Sequence, residues 1–370
     1  MGVLHFLLAL LILAFMIFIH ELGHYTAGRL LGFTILDFSI GFGPALFKFK
    51  KKDITYALRA IPLGGACRFY GEDEEPEVME KVAKDAVPFN SQKPIKRLIV
   101  IFAGPLMNIL LAFLLAFVMM LCFGERRTVM YDTGDYAITI NEVVKDGAAE
   151  KSGILEGDII LEVNGIDISG EPHEFGKKAD IISKCIDEAP AEGLTITVLR
   201  DNERREVFVS DIYNAAQGKN VIGITMGYTE YFVPYGFFRS FAEAGKFLVD
   251  IVKTTFSALA NGFKNGFHEG DFSGVFGTVA ITMKMASLGV YYVILITVLI
   301  SMSLGIMNLL PVLPLDGGHL LFDFIELIFG KPVPRKIQNT LSMIGIVLLL
   351  ALMVYATFGD IKGIFNGLYS

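Results

Sequence analysis

His20, Glu21 and His24 form the residue pattern with the clearest chemical meaning in this sequence, His-Glu-x-x-His. On a helix, residues four positions apart differ in direction by about 40°, so both imidazoles can bind the same Zn²⁺ ion. Glu21 then lies close enough to act as the general base toward a water that the metal activates. The pattern predicts zinc-dependent hydrolysis. The alternative is a helix end that carries ordinary polar residues into water.

Asp316 is the residue that we expect to complete this site, because a catalytic zinc needs a third protein ligand and an open position. Pro311 and Pro314 remove backbone donors just before it and break the helix there. Non-helical backbone at membrane depth is tolerated only beside protein or a water-filled cavity. Two neutral imidazoles, one aspartate and one hydroxide also balance the charge of Zn²⁺, which lowers the cost of burial. His319 is the rival ligand.

Long apolar segments must hold these residues in place. Hydrophobic residues make up 53% of the 370-residue chain and charged residues 19%, below the roughly one quarter typical of soluble domains. Four segments, at about 3–19, 98–123, 290–313 and 341–358, have the length and composition of helices that cross a bilayer. We therefore predict an α-helical polytopic membrane protein with four transmembrane helices.

Charge and cysteine content exclude two other classes of protein. A net charge of −7 gives no support to a nucleic-acid partner, which requires a basic surface. The three cysteines, Cys67, Cys122 and Cys185, have no paired spacing. Neither a disulfide framework nor a Cys-x-x-Cys zinc site is expected from them.

Lysine and arginine residues indicate the orientation in the bilayer. They are concentrated in the connections between the first and second predicted helices and between the third and fourth. Such residues mark cytoplasmic loops, so the active site is predicted to lie toward the cytoplasmic side. Both termini and the region 124–288 are then outside. Within it, 235–288 has helical apolar spacing, which predicts an amphipathic helix on the outer membrane surface, with a fifth spanning helix as the alternative.

Residues 138–212 alternate in short strands separated by glycine turns, which predicts a β-rich domain. The stretch 148–165, AAEKSGILEGDIILEVNG, resembles the PDZ domains of bacterial membrane proteases. The resemblance implies an inserted extracytoplasmic PDZ domain of α+β type that binds a peptide or a substrate tail at a sheet edge. A small β-rich domain without a ligand is the alternative.

Three features together resemble the site-2 protease family, peptidase family M50: HELGH at 20–24, NLLPVLPLDGGH at 308–319, and one PDZ-like domain between the second and third helices. The bacterial branch that processes anti-sigma factors is the most similar. The resemblance implies an intramembrane zinc metalloprotease of the bacterial plasma membrane. Its substrates would be single-pass membrane proteins, usually trimmed first by another protease. The implied roles are zinc binding by His20, His24 and Asp316, and base catalysis by Glu21.

Other stretches match the same family in part. Residues 46–70 alternate as short strands, so this cytoplasmic membrane-associated β region is expected to offer a sheet edge to an unwound substrate. A soluble hairpin without substrate contact is the alternative. The further matches are FAGPLMN at 102–108, GFGP at 41–44 and IPLGG at 61–65, whereas SGVFG at 273–277 departs from the family's usual Ser-Gly-Pro-Val-Gly.

Asn308 is predicted to help stabilise the oxyanion that develops during hydrolysis. The alternative is that it caps the helix or satisfies backbone groups freed by Pro311.

The predicted segments are 1–28 for the first transmembrane helix, 29–97 for the cytoplasmic β region, 98–123 for the second transmembrane helix, 124–229 for the PDZ domain, 230–288 for amphipathic surface helices, 289–330 for the third transmembrane segment, and 331–370 for the fourth transmembrane helix and C-terminus.

Two other functions fit a polytopic protein of this composition. One is a transporter for zinc or a small molecule, and the other is an inactive scaffold that presents a PDZ domain. The polar membrane groups converge on one site and form no relay across the helices, which argues against transport. Glu21 is intact, which argues against an inactive scaffold.

Overall fold

The computed structural model describes residues 2–72, 86–131, 136–170, 175–190, 192–214, 218–266 and 274–365. The chain forms two compact units, which we call the helical unit (Met1–Cys122 with Gly236–Ser370) and the inserted unit (Phe123–Tyr235). The described helices are α1 (Gly2–Leu30), α2 (Pro94–Cys122), α3 (Ala148–Lys151), α4 (Phe175–Asp187), α5 (Phe237–Asn265), α6 (Val275–Ser287), α7 (Val290–Asn308), α8 (Asp316–Phe329) and α9 (Arg335–Phe365). The described strands are β1 (Ile35–Lys51), β2 (Ile54–Phe69), β3 (Glu125–Thr128), β4 (Thr139–Val143), β5 (Ile159–Val163), β6 (Ile166–Asp167), β7 (Leu194–Arg200), β8 (Glu203–Val209), β9 (Tyr213–Asn214), β10 (Lys219–Asn220), β11 (Ile224–Gly227) and β12 (Glu230–Val233).

Four helices of the helical unit, α1, α2, α7 and α9, are long and apolar enough to cross a membrane. This confirms the prediction of four membrane-length apolar helices. A helix suits this environment because it satisfies its backbone hydrogen bonds within the segment, where lipid offers no partner. Their orientation and the predicted segment boundaries stay predictions.

Glycines allow the helices around α2 to approach each other closely. A methyl group at Gly23 of α1 would overlap the backbone carbonyl of Ala103 on α2. A methyl group at Gly305 of α7 would come 2.8 Å from the side chain of Ile109 on α2. Small residues are a common device for close helix packing in membranes. α2 is therefore held between α1 and α7.

The region predicted as amphipathic surface helices contains two helices of different character. α5 buries Ser240, Ala244 and Leu248 against the helical unit and exposes charges such as the Glu243–Lys246 pair. α6 is apolar and packs against α1, α7 and α9, and the assignment of this region to the membrane surface stays a prediction. In the described ranges, no fifth helix meets the length and composition of a spanning segment.

Asp360 explains how the short helix α6 is held within the helical unit. This residue of α9 is 1% exposed. Its carboxylate accepts hydrogen bonds from the backbone N–H groups of Gly274 at 3.1 Å and Gly277 at 2.8 Å. It thereby caps the N-terminus of α6, where unpaired N–H groups and the helix dipole favour an anion.

The predicted cytoplasmic β region consists of the two long strands β1 and β2. Both strands bend, so that four of their segments lie side by side in the order 65–68, 37–40, 55–58 and 47–50. Residues 37–40 pair on both sides, with 65–68 on one side and with 55–58 on the other. Residues 47–50 pair with 55–58 in turn. Gly41, with a positive φ of 87°, permits one of the bends. Among the described residues, 65–68 have strand partners on one side alone, which makes this segment an edge.

The inserted unit is an α+β structure whose sheet has the order β11-β4-β5-β7-β8, with β6 beside β5. Ile182 and Ile186 of α4 belong to its apolar core. Asp158 is 1% exposed and receives two hydrogen bonds from the Arg200 guanidinium, at 2.7 and 2.6 Å. β3 pairs with β12, so the chain enters and leaves the unit on neighbouring strands. The predicted segment 124–229 lies within this unit, and its identity as a PDZ domain stays a prediction.

Candidate metal centre

His20 and His24 lie one turn apart on α1, with their rings directed to the same point. Their Nε2 atoms are 3.2 Å apart, and the two rings are inclined at 82°. His24 is buried, and His20 is half-buried. The structure thus brings the first two predicted ligands together as the helical spacing requires.

Asp316 is the first residue of α8, and its carboxylate reaches the two imidazoles. Oδ2 lies 3.1 Å from Nε2 of His20 and 3.5 Å from Nε2 of His24. α7 ends at Asn308, and the segment before α8 is not helical. This is the break that the two prolines predict, and it lets the chain turn so that Asp316 faces α1.

These three atoms fit a zinc ion. A tetrahedral Zn²⁺ with bonds of about 2.0–2.1 Å holds its ligand atoms about 3.3–3.4 Å apart. The three edges here are 3.1, 3.2 and 3.5 Å. Oδ2 of Asp316 is buried and has no hydrogen-bond partner of good geometry in the described part of the chain, which is costly unless a cation binds it. The possible ligand group among the described residues consists of His20, His24 and Asp316, so the rival His319 is not part of it.

α2 supports both imidazoles from behind. Nδ1 of His24 lies 2.9 Å from the backbone carbonyl oxygen of Val100 and donates a hydrogen bond to it when Nε2 is the metal ligand. A methyl group at Gly104 would overlap the ring of His24. The side-chain amide of Asn108 lies 3.4 Å from Nδ1 of His20. Gly104 and Asn108, one turn apart on α2, therefore face His24 and His20, one turn apart on α1.

Glu21, the predicted base, is 9% exposed and lies against β2. A Cβ atom at Gly65 would come 2.7 Å from Cγ of Glu21 and 3.1 Å from its Oε1. Glycine is therefore needed for this close approach. Because Gly65 begins the edge segment 65–68, the sheet edge and the predicted base are neighbours.

Asn308 is the last residue of α7 and is half-buried. Its predicted contact with the oxyanion stays a prediction. Gly65, Gly104 and Asn108 entered the sequence analysis only as members of family motifs, without a role. The available signal was spacing, because Gly104 and Asn108 are four residues apart, as the two histidines are.

Arg97 fixes the helix that carries Asp316. Arg97 is 3% exposed. Nε donates to Oδ1 of Asp323 on α8 at 3.0 Å, and the same group pairs with Glu326. Nη1 donates to the backbone carbonyl oxygen of Asn90 at 2.8 Å. Asp323 lies about two helical turns from Asp316, so this cluster holds α8 at a distance from the candidate ligand.

Comparison with known proteins identifies the family. The sequence pattern of peptidase family M50 matches residues 8–352. The chain belongs to peptidase family M50. A protein of Campylobacter jejuni whose name describes a zinc metalloprotease is 32% identical over 97% of this chain and 94% of its own length. A protein of Fusobacterium nucleatum with a similar name is 32% identical over 98% of this chain and 99% of its own length. The regulator of sigma-W protease of Bacillus subtilis is 27% identical over 96% and 98%.

As a member of family M50, this protein is a zinc-dependent metalloprotease. Its four membrane-length apolar helices and these relatives make it a bacterial membrane protein. The triangle formed by His20, His24 and Asp316 is accordingly the candidate zinc site.

Proposed function

We propose that this M50 protease hydrolyses peptide bonds within transmembrane segments of single-pass membrane proteins. One observation carries the proposal: two of the three candidate zinc ligands belong to a membrane-length helix. His20 and His24 lie on α1, and Asp316 begins α8 after the non-helical segment that follows α7. Ionisable groups within such helices are costly, and they usually mark a functional site. A peptidase site placed there meets its substrates within the bilayer.

Hydrolysis requires a polarised carbonyl, a nucleophilic water and a proton shuttle. Zinc bound by His20, His24 and Asp316 supplies Lewis-acid activation of the carbonyl and of the water. Glu21 accepts the proton of the attacking water and then delivers it to the leaving amine. Asn308 donates a hydrogen bond to the oxygen on which negative charge develops.

The substrate must unwind before cleavage, because the carbonyl groups of a helix are hydrogen-bonded and shielded. The edge segment 65–68 has a strand partner on one side alone among the described residues, and its Gly65 lies against Glu21. An unwound substrate pairs with this edge as an added strand. This pairing presents the scissile carbonyl beside the base.

The substrates belong to one of two classes. They are anti-sigma factors that another protease has already trimmed, or they are remnants of signal peptides. The name of the Bacillus subtilis relative, regulator of sigma-W protease, supports the first class. The active site lies toward the cytoplasmic side of the plasma membrane, and the inserted unit lies outside as a PDZ domain. There it acts as a gate that excludes substrates with large outer domains, or it binds a substrate tail.

Co-expression with a tagged single-pass reporter that lacks its outer domain tests the proposed activity. Wild type should release a cytoplasmic fragment whose new terminus, mapped by mass spectrometry, lies within the transmembrane segment. Glu21→Gln, compared at equal protein level, should release none. Fragment release by Glu21→Gln would assign the cleavage to another protease. A new terminus outside the transmembrane segment would contradict the intramembrane assignment.

Deletion of the inserted unit tests the proposed gate. Val129 donates a backbone hydrogen bond to Thr229 at 2.8 Å, so a short turn can join these two residues when 130–228 are removed. The shortened protein should cleave a reporter that retains its outer domain. If cleavage still requires prior trimming, the inserted unit is not the gate.

A further inference from the structure

Asn108 is a buried amide within the apolar helix α2, and the roles described above leave it without a function. Its side chain is 0% exposed, and Oδ1 has no hydrogen-bond partner among the described residues. Nδ2 lies 3.4 Å from Nδ1 of His20. A buried polar group is costly unless it is hydrogen-bonded, above all in a membrane segment. Apolar packing therefore gives no reason for an asparagine at this position.

The metal-binding nitrogen of His20 determines which end of the amide must face the ring. Nε2 of His20 points toward Asp316 and His24, and it must carry no proton when it binds a metal. The proton of the neutral ring is then on Nδ1, which needs an acceptor. The oxygen and nitrogen ends of an asparagine amide have the same shape. With Oδ1 turned toward His20, the amide oxygen accepts this hydrogen bond, and Nδ2 takes the position that Oδ1 leaves.

We propose that Asn108 is a positioning residue that accepts a hydrogen bond from Nδ1 of His20 and holds Nε2 toward the metal. The inference rests on the proposed zinc ligands. Val100, about two turns earlier on α2, does the same for His24 through its backbone carbonyl. Ser301 of α7 donates to the backbone carbonyl of Asn108 at 2.8 Å and so steadies this turn. One helix thus sets the direction of both imidazoles.

Zinc affinity of the purified full-length protein in detergent, measured against a chromophoric chelator, tests the proposal. Asn108→Leu keeps the size of the side chain and removes the acceptor, and we expect zinc binding to weaken about 10–100-fold. Asn108→Asp keeps an acceptor oxygen and should bind zinc nearly as tightly as wild type. Ser301→Ala is the matched control, since it alters the same turn without removing the acceptor.

Wild-type affinity in Asn108→Leu would overturn the proposal, and so would an equal loss in Asn108→Asp. If Asn108→Leu does not fold, the absorption spectrum of bound Co²⁺ in Asn108→Asp and Asn108→Ala decides. The aspartate variant should keep the wild-type spectrum and the alanine variant should lose it, and the reverse would overturn the proposal. His20→Ala separates the two claims, because undiminished zinc affinity there contradicts the ligand assignment itself. If zinc affinity falls in His20→Ala and stays at the wild-type level in Asn108→Leu, only the role of Asn108 is contradicted.

Discussion

Carboxylates lie at two places along α8, and the two places differ in the partner that the protein supplies. Near the start of the helix, Oδ2 of Asp316 faces Nε2 of His20 at 3.1 Å and Nε2 of His24 at 3.5 Å. Further along, Asp323 and Glu326 face the guanidinium of Arg97. The second place contains its own cation. The first contains three ligand atoms at the spacing of a zinc site.

This difference separates a structural ion pair from a functional site on the same helix. Removing one member of a buried ion pair leaves an uncompensated charge, and the fold becomes less stable. Removing one member of a metal site chiefly removes the metal. The Arg97 cluster and the Asp316 cluster should therefore respond differently to substitution, and the predictions below test that contrast.

Asp316→Asn should have the largest effect on the chemistry. We expect zinc affinity to fall more than about 100-fold. Loss of a residue that only hydrogen-bonds to a metal ligand already lowers metal affinity about 10–100-fold. Proteolysis should be lost, whereas the stability of the zinc-free protein should hardly change. Metal analysis of the purified variant, with a melting curve in chelator, measures both quantities. A full equivalent of tightly bound zinc would contradict the assignment.

Arg97→Leu should lower the stability of the fold and leave zinc binding largely unchanged. Asp323 and Glu326 lose their cation, and we expect a destabilisation of about 3–5 kcal/mol. Denaturant titration in detergent measures it, with Arg97→Lys as a control that keeps the charge. Zinc loss without destabilisation would show that this cluster belongs to the metal site after all.

Gly65→Ala should impair catalysis and spare the metal. The atoms nearest to the added methyl group belong to Glu21 and Ile17, and a displacement of about 1 Å at a reacting group costs about 100-fold in rate. We expect activity to fall about 10–100-fold with the zinc content unchanged. Full activity would mean that β2 does not limit the position of Glu21.

Arg200→Ala should have the smallest effect on zinc and catalysis, because it changes a partly buried pair in the inserted unit alone. Asp158 loses both side-chain hydrogen bonds from Arg200, and we expect that unit to lose about 1–3 kcal/mol of stability. Limited proteolysis within 123–235 reports this change. A parallel loss of zinc would contradict the independence of the two sites.

Much of the candidate site could be predicted from local signals in the sequence. Helical geometry places His20 and His24 on one face whatever surrounds them, and the prolines before Asp316 break the helix by their own chemistry. The role of Asn108 was not predictable in this way. It depends on which face of α2 meets α1, and a four-residue spacing fits many neighbours.

Long-range contacts explain what the sequence analysis did not predict in the fold. The segment of α6 is short and apolar, and its spacing does not reveal that Asp360 caps it from α9. The bends of β1 and β2 were not predictable for the same reason. The pairing between their segments becomes visible only when the segments are placed side by side. The four membrane-length apolar helices were predictable because each is a single continuous apolar run.

Zinc content and cleavage, measured on the same preparation of Glu21→Gln, test the central claim most directly. Because Glu21 lies beside the ligands and is not one of them, the variant should hold one zinc per chain and cleave no reporter. Cleavage at the wild-type rate would contradict its role as the base. Loss of zinc together with activity would mean that Glu21 belongs to the metal site itself.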